Sequence, residues 1–262
     1  RGVAAAPMVT KSNGGVMTAA AGKERSIEML LSGTAAGAIG AGFVARQAGF
    51  ARVMSLDIGG TSADVALLRD GMPDFRTGEL VGEYPVFLPT VAVSSIGAGG
   101  GSIATVDALG VLRVGPESAG SVPGPACYGR GGTQPTVTDA NLLLGYYDPG
   151  FFLGGRMALD VAAARRALES VGAPLGLDAV AAAWGIHRVV TESMAAAARI
   201  HIVEKGRDPR HYAMVGFGGA GPAHAAGVAR ALGVAEVLIP PASGAASALG
   251  FLAAPLSFEQ VR

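Results

Sequence analysis

Two aspartates, Asp57 and Asp64, bracket the run Gly59-Gly60-Thr61-Ser62. Paired glycines let a backbone turn tightly and come close to a ligand. Successive N–H groups in such a turn form a nest for an anion, and Thr61 and Ser62 add two hydroxyls. Two carboxylates beside an anion nest suit a hydrated Mg²⁺ more than a bare phosphate. Residues 57–64 therefore read as a phosphate-and-metal loop, with a plain hairpin turn as the alternative. A second glycine turn, Gly218-Gly219-Ala220-Gly221, lies between the apolar run Tyr212 to Phe217 and Pro222, a residue suited to the first turn of a helix. Strand, glycine turn and helix in that order present N–H groups to a nucleotide.

Other residues are weaker candidates. Gly97 to Gly101 holds four glycines in five positions. It reads either as a close approach of backbone to phosphate or substrate, or as a bulge or tight bend. Residues 115–135 form a long loop rich in glycine and proline, and loops of that length in compact domains are usually functional or disordered. Cys127, the one cysteine, lies in it. No histidine is near it in sequence, so it reads as a small buried residue rather than a nucleophile. The four histidines show no metal-ligand spacing. His187 and His201 fall on a long helix, and His224 follows the second glycine turn, where packing is the simpler role.

These residues need elements to hold them. Val53 to Leu56 and Val65 to Leu68 are short apolar runs bounded by glycine and polar residues, which predicts a hairpin of buried strands. Ahead of it come a strand at Met8 to Thr10, a turn at Ser12 to Gly15 and a helix over 24–48. After it come a strand from Phe75 to Glu83 and a strand pair, Ile103 to Val106 and Val111 to Val114, turning at 107–110. Thr138 is placed to cap a helix ending near Gly145. Further helices run from Asp160 to about Val171 and from Asp178 to about Glu204. The last carries an apolar stripe that includes Ala179, Ile186, Val190, Met194 and Ile200. The helices of about 138–205 are expected to form an insertion before the strand Tyr212 to Phe217, the helix Pro222 to Leu232, a strand Val237 to Ile239 and a helix Ser243 to Phe251.

Half of the 262 residues are hydrophobic, ample for a core. Charged residues make up 15%, against a usual level of about 25%, so part of the surface is expected to be covered by another domain or subunit. The net charge is zero without a basic patch, which argues against a nucleic-acid partner. A single cysteine makes no intrachain disulfide and fits a reducing compartment such as the cytoplasm. No apolar run is long enough for a membrane span, so no membrane is expected.

Long motifs carry a resemblance. Asp57 to Asp64 resembles the phosphate loop of the actin, sugar-kinase and Hsp70 superfamily. Ser94 to Ala104, Pro123 to Gly132, Thr136 to Asn141 and Phe217 to Pro222 together resemble the hydantoinase A / 5-oxoprolinase family over nearly the whole chain. The resemblance implies an α/β fold, one ribonuclease-H-like half of an actin-like ATPase, with a mixed sheet and a helical insertion. It implies ATP and Mg²⁺ as cofactors. Asp57, Gly59, Gly60, Thr61 and Ser62 would hold phosphate, and Asp57 and Asp64 the metal and the catalytic role. Gly218, Gly219 and Ala220 would line the adenosine. The implied activity is ATP-dependent opening of a cyclic amide such as a hydantoin or 5-oxoproline. A ketone carboxylase subunit and a non-catalytic nucleotide-binding domain stand as alternatives. The implied partners are an N-terminal domain with its own loop of this kind, absent here, a hydantoinase B-type subunit or domain and the ring substrate, in an oligomer. The whole chain, 1–262, then reads as a domain excised from a longer protein.

Overall fold

The structure, a computed structural model, describes residues 6–257 except residue 82. Its centre is a mixed sheet built from β1 (Arg52–Ile58), β2 (Ala63–Arg69), β3 (Val93–Ile96), β4 (Ala213–Phe217) and β5 (Val237–Leu238). The spatial order is β3-β2-β1-β4-β5, with a short strand, Met72–Pro73, added on β2. β1, β2 and β3 are joined antiparallel, whereas β4 and β5 run parallel to β1. Val53, Met54, Leu56 and Ile58 are all buried, so β1 is covered on both faces. That accounts for its continuous apolar run, since a strand with only one covered face would alternate.

One face carries α1 (Ser32–Gln47) and α6 (Ala246–Ala253), packed against Val53, Leu68 and Phe217. The two helices pack backbone to backbone. A side chain at Gly40 would lie 2.8 Å from the Ala246 carbonyl, and one at Gly250 would overlap Ala36. The other face carries α2 (Val137–Leu143), α4 (Ala179–Val203) and α5 (Gly221–Leu232), with α3 (Val161–Gly172) packed on α2 and α4. The helical insertion between β3 and β4 thus shares one core with the sheet: Ile186, Val190 and Met194 of α4 pack with Met54, Leu56 and Leu67. A separate hairpin, Ser102–Val106 with Leu112–Ser118, lies beside α4.

Several boundaries differ from the sequence reading. The helix expected over 24–48 is interrupted. A six-residue helix, Ala19–Glu24, is followed by a 3₁₀ turn, Ser26–Met29, and Leu31 takes a left-handed conformation, φ 56°, before α1 begins at Ser32. The strand expected from Phe75 to Glu83 is two short pieces, Phe75–Arg76 and Glu79–Val81. Thr136, not Thr138, caps α2. Its hydroxyl accepts from the Asp139 N–H, and the Asp139 carboxylate accepts from the Thr136 N–H, a reciprocal capping box. On α4, Ile200 of the predicted stripe is exposed, and Ala198 and Ile202 take the buried positions. Among the described residues, no helix is long and apolar enough to cross a membrane.

Candidate phosphate-binding site and a neighbouring histidine cluster

The register of three strands assembles the site. Asp57 pairs with Asp64 across the β1–β2 hairpin. Phe217 pairs with Asp57 in the parallel β1–β4 pair. The loop 59–62 and the turn 218–220 therefore leave the same end of adjacent strands. In open α/β sheets, ligands bind at the carboxyl ends of such strands. The two segments are tied together: the Ala220 N–H donates to the Ile58 carbonyl at 3.0 Å. Gly218, at φ 86°, lies so close to Asp57 and Ile58 that a Cβ there would collide with both.

The loop turns tightly, with the Gly59 N–H donating to the Ser62 carbonyl at 3.0 Å. Gly60 and Thr61 are exposed at its tip. Among the described residues no group accepts from the N–H of Gly60, Thr61 or Ser62. The loop's carbonyls, by contrast, are taken. Gly100 N–H donates to Gly59 at 3.0 Å and Gly101 N–H to Gly60 at 2.6 Å. The cluster Gly97–Gly101 is thus the backing of the phosphate loop. Its lack of side chains is required, because a Cβ on Gly99 would stand 2.7 Å from the Thr61 nitrogen. Carbonyls of the loop are held by the chain itself while these three N–H groups are left without a protein acceptor, the polarity that an anion needs.

Both carboxylates are perturbed. Burial pushes the Asp57 carboxyl up. A hydrogen bond from Ser247 Oγ at 3.2 Å offsets part of this, and the charge of Asp64 adds to it. Burial also raises Asp64, against a hydrogen bond from Ser95 Oγ at 2.5 Å. No cation contributes to either, so two carboxylates share a partly dry place uncompensated. Hard oxygen donors in that state fit Mg²⁺, which takes one or two carboxylates and completes its shell with water and phosphate oxygens. Among the described residues no group of three or more His, Cys, Asp or Glu forms a metal cage.

A second cluster lies behind the loop, on α2, α4 and α5. Asn141 places its amide between two histidines: Nδ2 donates to His224 Nε2 at 3.0 Å, and Oδ1 accepts from His187 Nδ1 at 2.8 Å. His224 Nδ1 meets Thr191 Oγ1 at 3.0 Å. The two imidazoles stack at 4.5 Å. His224 is fully buried, and burial, then the neighbouring His187, lowers its pKa to about 3. Burial also lowers His187. Both are neutral at pH 7, and no sequence spacing announces their partnership.

Cys127 is buried. Its thiol is pushed well above its ordinary range by burial, then by the Asp139 charge. Its backbone N–H donates to Asp139 at 2.8 Å, so this residue helps to build the loop before α2. The expectation of a packed, unreactive thiol agrees with that environment. His201 is buried too, its pKa lowered to about 4 by burial, then by Lys205.

The chain matches the sequence pattern of the Hydantoinase/oxoprolinase family over residues 1–260. It belongs to that family. It is 40% identical over 252 residues to caprolactamase subunit alpha of Pseudomonas jessenii, a match that covers 96% of this chain and 36% of that protein. It is 43% identical over 199 residues to the acetophenone carboxylase gamma subunit of Aromatoleum aromaticum, covering 75% of this chain and 27% of that subunit. The nucleotide-free structure of acetone carboxylase, an enzyme of ATP-dependent acetone carboxylation, superposes with a TM-score of 0.86 at 32% identity, over 95% of this chain and 35% of that one. The fold is accordingly that of these relatives, α/β with a mixed central sheet and helices on both faces, consistent with an actin-like ATPase fold, and the chain spans about a third of their length. Acetone carboxylase and the caprolactamase of Pseudomonas jessenii are both described as ATP-dependent.

Proposed function

We propose that this domain holds the phosphates of ATP within an ATP-dependent cyclic-amide hydrolase. The facing carboxylates Asp57 and Asp64, beside a loop with three N–H groups that no protein acceptor takes, carry this reading. Gly59, Gly60, Thr61 and Ser62 bind phosphate, and Gly218, Gly219 and Ala220 line the adenosine side. Asp57 and Asp64 hold Mg²⁺, directly or through water. Bound Mg²⁺ neutralises charge on the phosphoryl group in flight. The amide oxygen of the ring attacks the γ-phosphorus and ADP leaves. Water then adds to the activated carbon, the ring C–N bond breaks to leave an open-chain acyl phosphate and a free amine, and a second water releases phosphate and the carboxylate. The loop's work is positioning and charge neutralisation, which is most of what phosphoryl transfer requires of a protein. An N-terminal domain with a second phosphate loop and a hydantoinase B-type subunit are the proposed partners.

The second reading is a ketone carboxylase subunit, in which the same transfer acts on an enolate oxygen. The 43% identity to the acetophenone carboxylase subunit and the acetone carboxylase superposition favour it. Phosphate release from ATP by the complete protein separates the two. Release dependent on hydantoin, 5-oxoproline or caprolactam supports the hydrolase. Release dependent on acetone or acetophenone with bicarbonate supports the carboxylase. ATP binding without either would leave a non-catalytic nucleotide-binding domain.

A further inference from the structure

A cavity of about 320 Å³ opens between α4 and α5, next to the histidine cluster. Its size is at the small end of ligand pockets, roughly 300–1,000 Å³, and suits one ring system. Its walls include Tyr146, Trp184 and His187, and Pro222 and Ala223 from the first turn of α5, which directly follows the glycine turn 218–220. The aromatic walls are aligned. The rings of Tyr146 and His187 are stacked 4.9 Å apart at 8°, and those of Trp184 and His187 are 5.7 Å apart at 11°. Trp184 and Tyr146 are each about half exposed, at 49% and 48%, so flat apolar surface faces the opening.

Arg188, Glu192 and Arg230 also line the cavity, and His187 is the polar group among its aromatic walls, fixed from behind. Its Nδ1 is engaged by Asn141 Oδ1, so Nδ1 carries the ring proton in the neutral imidazole. Nε2 is then a lone-pair acceptor. Among the described residues nothing donates to it, and it is not sealed from solvent. Asn141 is held in turn by His224, and His224 by Thr191. A four-residue network thus orients one acceptor beside two aromatic faces.

We infer that this cavity receives a flat nitrogen heterocycle, which stacks beside Trp184 and Tyr146 and donates an N–H to His187 Nε2. Aromatic faces favour offset stacking of another flat ring. A preoriented acceptor that the bound ring covers disfavours rings that lack a donor, because it would be left unpaired. Two ligands carry that chemistry: the amino-bearing base of a nucleotide whose phosphates sit at the loop 59–62, and the N–H-bearing ring of a cyclic amide. The inference stands on the cavity and goes beyond the phosphate-binding reading.

Trp184 is the only tryptophan of this chain, which gives the test its signal. Fluorescence of the complete protein, minus that of its Trp184→Phe variant, isolates Trp184. Adenosine and ADP form one arm of the titration, hydantoin and 5-oxoproline the other, and pyrophosphate serves as a ring-free control. A saturable change in one arm is expected and names the source of the ring. Calorimetry on Trp184→Ala, a change on an exposed side chain, and on His187→Ala should show that ligand bound at least about ten-fold more weakly. The affinity for pyrophosphate should be unchanged in both. If no ring ligand alters Trp184, or if ring ligands bind both variants as well as wild type, the inference is overturned. Failure of pyrophosphate to bind counts against the phosphate loop alone, since the ring titration is read independently of it.

Discussion

Thr138 donates both its backbone N–H and its hydroxyl to the carbonyl of Gly100, at 2.7 and 2.8 Å. Gly100 in turn donates to Gly59 of the phosphate loop. A helix capped two residues earlier, at Thr136, is thereby pinned to the back of the loop, and the same helix carries Asn141 into the histidine cluster. We predict that Thr138→Val, nearly isosteric, costs about 0.5–1.5 kcal/mol of stability, the loss of one neutral hydrogen bond. It should also weaken phosphate binding by loosening the loop. Urea denaturation and pyrophosphate calorimetry check the pair of effects. Wild-type phosphate affinity in the variant would show that the pin is structural only.

Asp57→Asn should trade stability against function. Burial, together with Asp64, raises the folded pKa of Asp57 above its unfolded value. A carboxylate shifted that way favours the fold below its unfolded pKa and loses that contribution as pH rises through the folded pKa. At pH 7.5 the ionised group therefore burdens the fold, and Asn removes the burden. The expected outcome is a higher Tm with ATP-dependent phosphate release abolished. As pH falls through the raised folded pKa and the native carboxyl takes up its proton, the Tm gain should shrink. A lower Tm at pH 7.5 would contradict the argument.

The buried histidines set the opposite slope. His224 and His201 have folded pKa values of about 3 and about 4, below the unfolded value of roughly 6.5. The unfolded chain binds the extra protons, so their contribution is complete above pH 6.5 and is lost as pH falls toward 4. The urea midpoint should drop between pH 7 and pH 5. His224→Gln keeps an amide for Asn141 but cannot ionise, so its midpoint should drop less. Parallel curves for the two proteins would rule out His224 as a source of the slope.

Glycines 218 and 219 should respond differently to alanine. Gly218 combines φ 86° with direct contact to Asp57, and Gly218→Ala should cost about 1–3 kcal/mol from backbone strain before any clash is counted. Gly219 has open space where a Cβ would stand. Gly219→Ala should fold as wild type, and its loss of nucleotide affinity measures how closely the adenosine passes. Thermal denaturation beside ADP calorimetry distinguishes the two effects.

Cys127 should be silent. Its thiol is buried and its pKa raised by burial and by Asp139, so little thiolate exists at pH 8. The folded protein should resist maleimide labelling, and Cys127→Ser should keep most of its turnover. Rapid labelling without unfolding, or complete loss of turnover in a folded variant, would reverse this assignment.

The tight loop 59–62, its two flanking carboxylates and the glycine turn before α5 were legible in the sequence because each is local. Apolar runs of strand length, glycine pairs and a helix-starting proline leave their signature within a few residues. The same holds for the burial of β1 and most of α4. What the sequence could not show is what closes over these pieces. Ser247 reaches Asp57 from 190 positions away and His224 meets Asn141 across 83, contacts with no local pattern behind them. The cap of α2 moved to Thr136 because Asp139 folds back on it while also accepting from Ala126 and Cys127. That freed Thr138 for Gly100. The helix expected from residue 24 broke at Leu31, where residue propensity alone gave no warning. The glycines of 97–101 were visible as a place of close approach, but only the packed chain decided that the approaching backbone is the loop's own. Local chemistry writes the turns and strands, whereas the pairing of side chains across the core depends on which elements the folded sheet brings together.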